Sequence, residues 1–387
     1  MGFEKILNDT SVLRYIHVSI DGEQLFPHDI LSIEFAQNFD EFGIGGHMLF
    51  RDTFDINNNG LITLNGDNKL VISVKDFLGT SNKRTFRIVN TTVEPSGDRF
   101  KLYKFFFIDE ITFQLMNSYV SKSFTGTPVA AFQSYMTELG IDKLLSADKL
   151  TTNITDTSTS DSFVVPQNIS VLDFFTERFK QENIRIWQDR NGLYIKEINI
   201  GALTPMQNDG KDIVYSNKTL NNEYLYKVHE YMENKNSVMR TNSEKPIMRT
   251  FRYNNDKKIV DLTRNLTDVV PNIKLNTLDA TGLQLTTGEK YDKQSFFTTG
   301  NQDYELFDSY GKNNSIDIVC SGSLKDSNIG NVALLELNGV VLSSDTALKG
   351  DVLTGGKYFI SKVTDKIMGD KYINKITLSR VDARTPR

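Results

Sequence analysis

A chain of 387 residues, 39% of them apolar and 24% charged, is long enough for roughly two to four domains with buried cores and has the make-up of a soluble globular protein. Its 44 basic and 49 acidic residues give a net charge of −5 without long runs of either sign, which excludes the basic stripe of a protein that grips nucleic acid. The single cysteine, Cys320, excludes an internal disulfide and a cysteine-rich zinc site.

No apolar run approaches the ~20 residues of a membrane helix. The N-terminus, Met1-Gly-Phe-Glu-Lys-Ile-Leu, lacks a signal-peptide stretch, and Ile6 stands where a myristoylation motif wants Ser or Thr. The expectation is a protein with no stable membrane anchor. Its 25 Phe and 15 Tyr favour strands over disorder.

Along the chain, residues 12–20 alternate, with Ile16, Val18 and Ile20 on one face. Leu31, Ile33 and Phe35 repeat the pattern, followed by His47–Phe50 and by Leu70, Ile72 and Val74. Arg84–Val89 and Lys101–Ile108 then form a hairpin, so about 110 residues read as an antiparallel barrel or sandwich without helix signals.

The character changes after residue 110. Thr127-Pro128 is an N-cap and N1 pair and Gly140 a C′ stop, which predicts a helix over 128–139 with Val129, Phe132, Tyr135, Met136 and Leu139 as its apolar stripe. Thr151–Ser162 reads as an exposed loop. Ser170 caps a second helix, with Asp173 at N3 and Leu172, Phe175 and Phe179 buried. Behind it, Ile184–Gln188 and Leu193–Glu197 flank Asp189-Arg190-Asn191-Gly192, a strong turn signal, and Trp187 has a packing role.

Tyr224, Tyr226 and Val228 mark one more strand, and residues 237–300 turn polar with short apolar runs such as Ile259-Val260 and Val269-Val270-Pro271. A short helix is expected at Asp303–Tyr310, and strands at Ile316–Cys320 and Val332–Leu337. The last pair, from Gly356 to Asp382, repeats the earlier hairpin. Gly369-Asp-Lys-Tyr372 matches Gly97-Asp-Arg-Phe100, both being Gly-Asp-basic-aromatic turns between β-branched and aromatic runs.

The expected fold is therefore mainly β, α+β overall. Two similar antiparallel β-barrel domains, 1–112 and 216–236 plus 301–387, flank an α/β module at 113–215. Its helices lie near 128–139 and 170–182 and its hairpin at 184–197. Residues 237–300 are an excursion or small peripheral subdomain.

Chemistry is sparse. His17, His28, His47 and His229 show no metal-ligand spacing, and no Gly-x-Ser-x-Gly elbow occurs. Gly350–Lys357 fails as a phosphate loop because it leads into a strand and Tyr358 replaces the Ser/Thr that would hold magnesium. Asp55, Asn57 and Asn59, followed by Gly60, match the start of an EF-hand calcium loop, but the twelfth position is Gly66 where a bidentate Glu belongs. An Asn-Gly turn between strands explains the same letters. No carboxylate pair stands out for glycoside hydrolysis. The expectation is no catalytic residue, no cofactor and no metal beyond that weak candidate.

The layout resembles the baseplate hub protein of contractile-tailed bacteriophages and the hub portion of type VI secretion spike proteins. The resemblance rests on Gly46-His-Met-Leu-Phe50 followed by Asn65–Lys75, on Val171–Gln188 with its Ile186-Trp187-Gln188-Asp189 strand end, and on the closing strands Lys357–Asp382. It spans most of the chain apart from 237–300, and its motifs are packing and turn patterns. It implies a non-enzymatic homotrimer whose six barrels adapt a threefold spike to a sixfold tail tube. It also implies strand addition at barrel edges between subunits, with DNA or cargo passing without specific binding. The implied partners are spike, tube or tube-initiator and baseplate wedge or periphery proteins; the implied location is the virion tail baseplate, assembled in host cytoplasm. A tail-tip hub of a non-contractile phage uses the same barrels. The rival of another class is a β-rich carbohydrate-binding protein or glycoside hydrolase.

Overall fold

The structure, a computed structural model, describes residues 12–64, 67–76, 79–96, 100–182, 184–197, 204–208, 210–217, 225–235, 247–253, 259–265, 314–337 and 356–380. The chain is mainly β. It opens with β1 (Leu13–Ile20), β2 (Glu23–Gln24), β3 (Ile30–Asn38), β4 (Glu41–Asp52), β5 (Lys69–Asp76), β6 (Ser81–Ser96) and β7 (Phe100–Asp109), with a 3-10 turn at Pro27–Asp29. They pair antiparallel in the order β2-β1-β5-β6-β7-β4-β3. Alternation decides which side is buried: Val18, Ile20, Ile33, Met48, Leu70, Ile72, Phe86, Phe105 and Phe107 share one core.

The α/β module follows, with α1 (Glu110–Met116), β8 (Lys122–Gly126), α2 (Pro128–Glu138), α3 (Ile141–Ala147), β9 (Thr151–Ile154), β10 (Asp161–Val165), α4 (Val171–Gln181), β11 (Ile184–Gln188) and β12 (Gly192–Glu197). The caps act as their letters dictate. Thr127 Oγ1 accepts from Ala130 N at 3.2 Å, Ser170 Oγ accepts from Asp173 N at 3.1 Å, and Gly140 takes a left-handed φ of 72°.

Three features depart from the sequence reading. α1 spans residue 112, where the sequence suggested a boundary, and packs Ile111 and Leu115 with the module's Phe132, Phe175 and Phe179. α3 continues straight after Gly140. Thr151–Ser162, though exposed, contains β9, which runs parallel to β12, and the start of β10, which pairs with β8.

The second half holds β13 (Gln207–Asn208), β14 (Lys211–Asp212), β15 (Val214–Ser216), β16 (Leu225–Lys235), β17 (Ile247–Tyr253), β18 (Ile259–Asn265), β19 (Asn314–Ser321), β20 (Val332–Glu336), β21 (Gly356–Met368) and β22 (Lys371–Arg380). β17 and β18 make a hairpin of their own, so the excursion carries regular structure where the sequence suggested little. Asp303–Tyr310, Val269-Val270-Pro271 and the turn at 97–99 lie outside the described residues. β15, β20, β21, β22, β19 and β16 pair around a closed ring, because β15 runs parallel to both β20 and β16.

The two barrels share their register. In the first, β3 carries one extra residue, Leu31, between the pairs Ile30↔Phe50 and Ser32↔Leu49; in the second, β16 carries His229 between Val228↔Cys320 and Glu230↔Val319. β6 bulges at Val89, between Ile88↔Phe107 and Asn90↔Phe106, and β21 bulges at Ser361, between Ile360↔Leu378 and Lys362↔Thr377. Superposing bulge on bulge equates Met48 with Ile318 through one pair of strands and Phe105 with Ile376 through the other. The two results agree, since Met48 faces Phe105 and Ile318 faces Ile376. Bulges are specific, strand-bending features, so two in matching places mark a common plan.

The turns match less well than their letters. Met368 pairs with Lys371 across the two residues Gly369-Asp370, whereas Ser96 pairs with Phe100 across three. Phe100 is therefore equivalent to Lys371, not to Tyr372.

Candidate functional site: the junction between the barrels

β21 belongs to both barrels. Its first residues, Gly356–Phe359, pair with β20, but Lys362–Ile367 pair antiparallel with β3 of the first barrel. β1 and β3 are not paired with each other among the described residues. The β21–β22 tip fills the gap, with Val12 bridging Lys371 and Leu13 N donating to Asp370 O at 2.9 Å. Ile367 and Tyr372 accordingly lie in the first barrel's core, while Ile360, Val363 and Ile376 lie in the second's.

At this seam the turn of the β11–β12 hairpin inserts Arg190, whose side chain is 1% exposed, against Asp365, which is fully buried. Arg190 Nη2 donates to Asp365 Oδ1 and to Ser327 O, each at 2.9 Å, and Nη1 donates to Ser323 O at 2.6 Å and to Tyr372 Oη at 2.8 Å. The carboxylate also accepts from Tyr372 Oη, from Asn374 Nδ2 at 2.6 Å and, from β3, from Gln37 Nε2 at 3.0 Å. Asn82 of β6 donates to Arg190 O at 2.6 Å. Burial works against the guanidinium charge, but Asp365 and Tyr372 outweigh it and hold its pKa above the usual arginine value.

The module is pinned around this pair. Arg185 Nη1 meets Asp40 Oδ1 at 2.9 Å, and its guanidinium covers the Phe39 ring at 4.8 Å. Phe39 in turn lies 5.0 Å from Trp187 and 4.6 Å from Phe359, and Trp187 stacks on Tyr194 at 5.1 Å. Thr85 on β6 donates its N–H and hydroxyl to Asp148, at 2.8 and 3.0 Å. The arrangement fixes the angle between two barrels.

The Asp189-Arg190-Asn191-Gly192 turn is held by Asp189, whose Oδ1 accepts from Asn191 N at 2.7 Å and Gly192 N at 3.0 Å. Neither Asn191 nor Gly192 has a positive φ, so the turn is not of the Asn-Gly hairpin type its letters suggest. Glycine is needed at 192 for another reason: a Cβ there would lie 2.0 Å from Thr151 O on β9.

Burial pushes the Asp189 carboxyl up to about 6, against the two turn N–H groups and the nearby Arg190 and Arg84. Because the folded value lies above that of an unfolded aspartate, its contribution to stability is full below pH ~4 and is lost as pH rises through 6. Asp189→Asn keeps an oxygen for the turn and should remove roughly 3 kcal/mol of decline across that window, read from urea midpoints at pH 4, 5, 6 and 7. Unchanged slopes in the variant would contradict this assignment.

The sequence-derived calcium candidates occupy the loop after β4. Asp55, at φ 53°, pairs through Oδ1 with Lys101 Nζ at 2.6 Å and through Oδ2 with Asn58 Nδ2 at 2.8 Å. Asn57 Oδ1 accepts from Leu64 N at 3.3 Å, and Asn59 Nδ2 donates to Phe54 O. Asp55 and Asn57 thus direct their oxygens to protein donors, and a cation would have to displace Lys101. No group of three His, Cys, Asp or Glu residues placed to hold a metal occurs among the described residues. The histidines are dispersed: His17 lies beside Tyr15, His28 beside Asp29, His47 beside Phe106 and His229 beside Ser321. Cys320 is buried in the second barrel's core, and burial raises its thiol pKa well above the usual range. No helix among the described residues is long and apolar enough to cross a membrane.

Comparison with solved structures sharpens the picture. A tail protein from Neisseria meningitidis MC58 matches with a TM-score of 0.57 and 9% identity, over 94% of this chain and 96% of that one. The chain has the fold of phage tail proteins. The 43 kDa tail protein of prophage MuSo2 from Shewanella oneidensis gives a TM-score of 0.55 at 11% identity, over 95% and 98% of the two chains. An E. coli component of the type VI secretion system, described as similar to the T4 bacteriophage tail proteins gp27 and gp5, gives 0.52 at 9% identity, over 96% of this chain and 79% of that one. No family model and no curated protein sequence matches. Arg190 and Asp365 escaped the sequence reading. The only available signal was a charged pair of letters, Asp189-Arg190, at a turn that would ordinarily be solvated.

Proposed function

We propose that this chain is a structural hub of a phage tail baseplate or a related injection apparatus. Three copies make a ring of six quasi-equivalent barrels, and the ring joins a threefold spike to a sixfold tail tube. The observation that carries the proposal is the shared register of the two barrels, with matching bulges in two pairs of strands. A chain with two like barrels repeats a surface every half-chain, so three chains present six similar units in a closed ring. The buried Arg190–Asp365 joint supports the same reading, since a ring closes only if the angle between barrels is fixed. The tail-protein fold supports it independently of the register.

In this role the protein does no catalysis. Its partners are a spike, a tube or tube-initiator protein and surrounding baseplate proteins, and DNA or cargo passes through without specific binding. The mildly acidic balance, net −5, suits a lumen that does not hold DNA. The expected result is a mass of three chains by light scattering, alone or mixed with its cognate spike. A chain that stays monomeric in both samples would sink the proposal.

A further inference from the structure

The junction inside one chain supplies a template for a junction between chains. β21 and β3 meet edge to edge, and the strands equivalent to them by register are β6 and β16. β6 pairs with β5 only as far as Arg87, so from Asn90 to Ser96 its only paired strand among the described residues is β7. β16 pairs with β15 only at Leu225–Lys227, and beyond that its only paired strand among the described residues is β19.

Burial changes in step. Asp365 and Ile367 on β21 are buried where β21 pairs with β3, whereas Val93, the equivalent of Asp365, is 48% exposed. Ile33 on β3 is fully buried, and its equivalent on β16, Tyr231, is 46% exposed. Met232 is exposed on the same segment of β16. Exposed apolar side chains on strand edges that no second strand pairs among the described residues mark a place for a neighbouring strand.

We propose that the second half of β6 pairs antiparallel with the second half of β16 from another copy of this chain, in the register that β21 and β3 use. Lys366 faces Glu34 and Thr364 faces Ala36 within the chain. The same offsets place Glu94 opposite Met232 and Thr92 opposite Asn234 of the neighbouring copy. Val93 and Tyr231 then turn inward together. Pro95 stands where β21 has Ile367; lacking an N–H, it limits the new ladder to about Thr91–Glu94. Since β6 and β16 sit in different barrels, the contact is head-to-tail and generates a ring when it closes. This inference rests on the trimeric hub proposed above and names the strands that join its subunits.

The test is Glu94→Cys combined with Met232→Cys, oxidised mildly and run on a non-reducing gel beside light scattering. The native Cys320 is buried and does not compete. Most chains should run as covalent dimers and trimers. Each single variant, and the off-register combination of Thr92→Cys with Met232→Cys, should remain uncrosslinked. A trimer by light scattering without interchain cross-links would overturn the strand pairing and leave the hub reading standing; a monomer would overturn both. As a check free of substitutions, those amides of Thr91–Glu94 that point away from β7 should exchange slowly in the trimer. Fast exchange there would contradict the pairing.

Discussion

Arg190→Met is expected to destabilise the protein by about 3–5 kcal/mol, because it strands the fully buried Asp365 carboxylate without its counter-ion. The loss reaches beyond one ion pair. Ser327 O loses its donor, Ser323 O is left with Tyr372 Oη, and the module's hairpin tip loses its side-chain bonds to Asp365 of β21 and Tyr372 of β22. Removing both charges together, as Arg190→Met with Asp365→Leu, should cost less than Arg190→Met alone, since no buried charge is then left unpaired. Guanidinium denaturation of the three proteins reads the comparison directly. A single-variant loss under about 1 kcal/mol would mean that the pair contributes no more than a surface ion pair does.

The second large effect is expected at Gly46. A Cβ on this residue would lie 2.0 Å from Glu34 O and 2.7 Å from Phe35 Cα, both backbone atoms of the paired strand β3. Neither can rotate away, so β3 and β4 must separate where β3 also carries β21. Gly46→Ala should therefore cost about 3 kcal/mol or more, at the upper end of the usual range for overpacking. Gly45 is an internal control. Its Cβ would meet Ile108 Cγ2 and Phe107 O at 3.5 Å, an ordinary contact, so Gly45→Ala should change stability by less than about 1 kcal/mol. Equal unfolding midpoints for the two variants would contradict the close approach of β3 and β4.

Much of the fold was written locally. Thr127-Pro128, Gly140 and Ser170 set helix ends through contacts within a few residues, and the structure keeps those ends. α1 and α3 were missed because each has seven residues, too few for an apolar stripe to rise above its surroundings. The repeated hairpin was visible through its Gly-Asp turns, yet the letters misled by one residue. They aligned Phe100 with Tyr372, and only the ladder registers equate Phe100 with Lys371. The junction was not legible at all. β21 meets β3 across more than 320 residues of chain, and alternation shows that a strand has a buried face but not which barrel buries it. Arg190 lay in a polar turn whose letters suggested solvent. It is buried because β3, β6, the Ser323–Ser327 stretch and the β21–β22 pair close over it.

Two register-equivalent barrels share one hairpin, and the proposed hub assembles them into a ring of six. Electron-microscopic images of the purified protein along its symmetry axis test that most directly. Class averages should show six similar lobes around a central channel, with density for the α/β module repeating three times. Averages showing an isolated two-barrel particle, or a closed particle whose lobes do not number six, would contradict it.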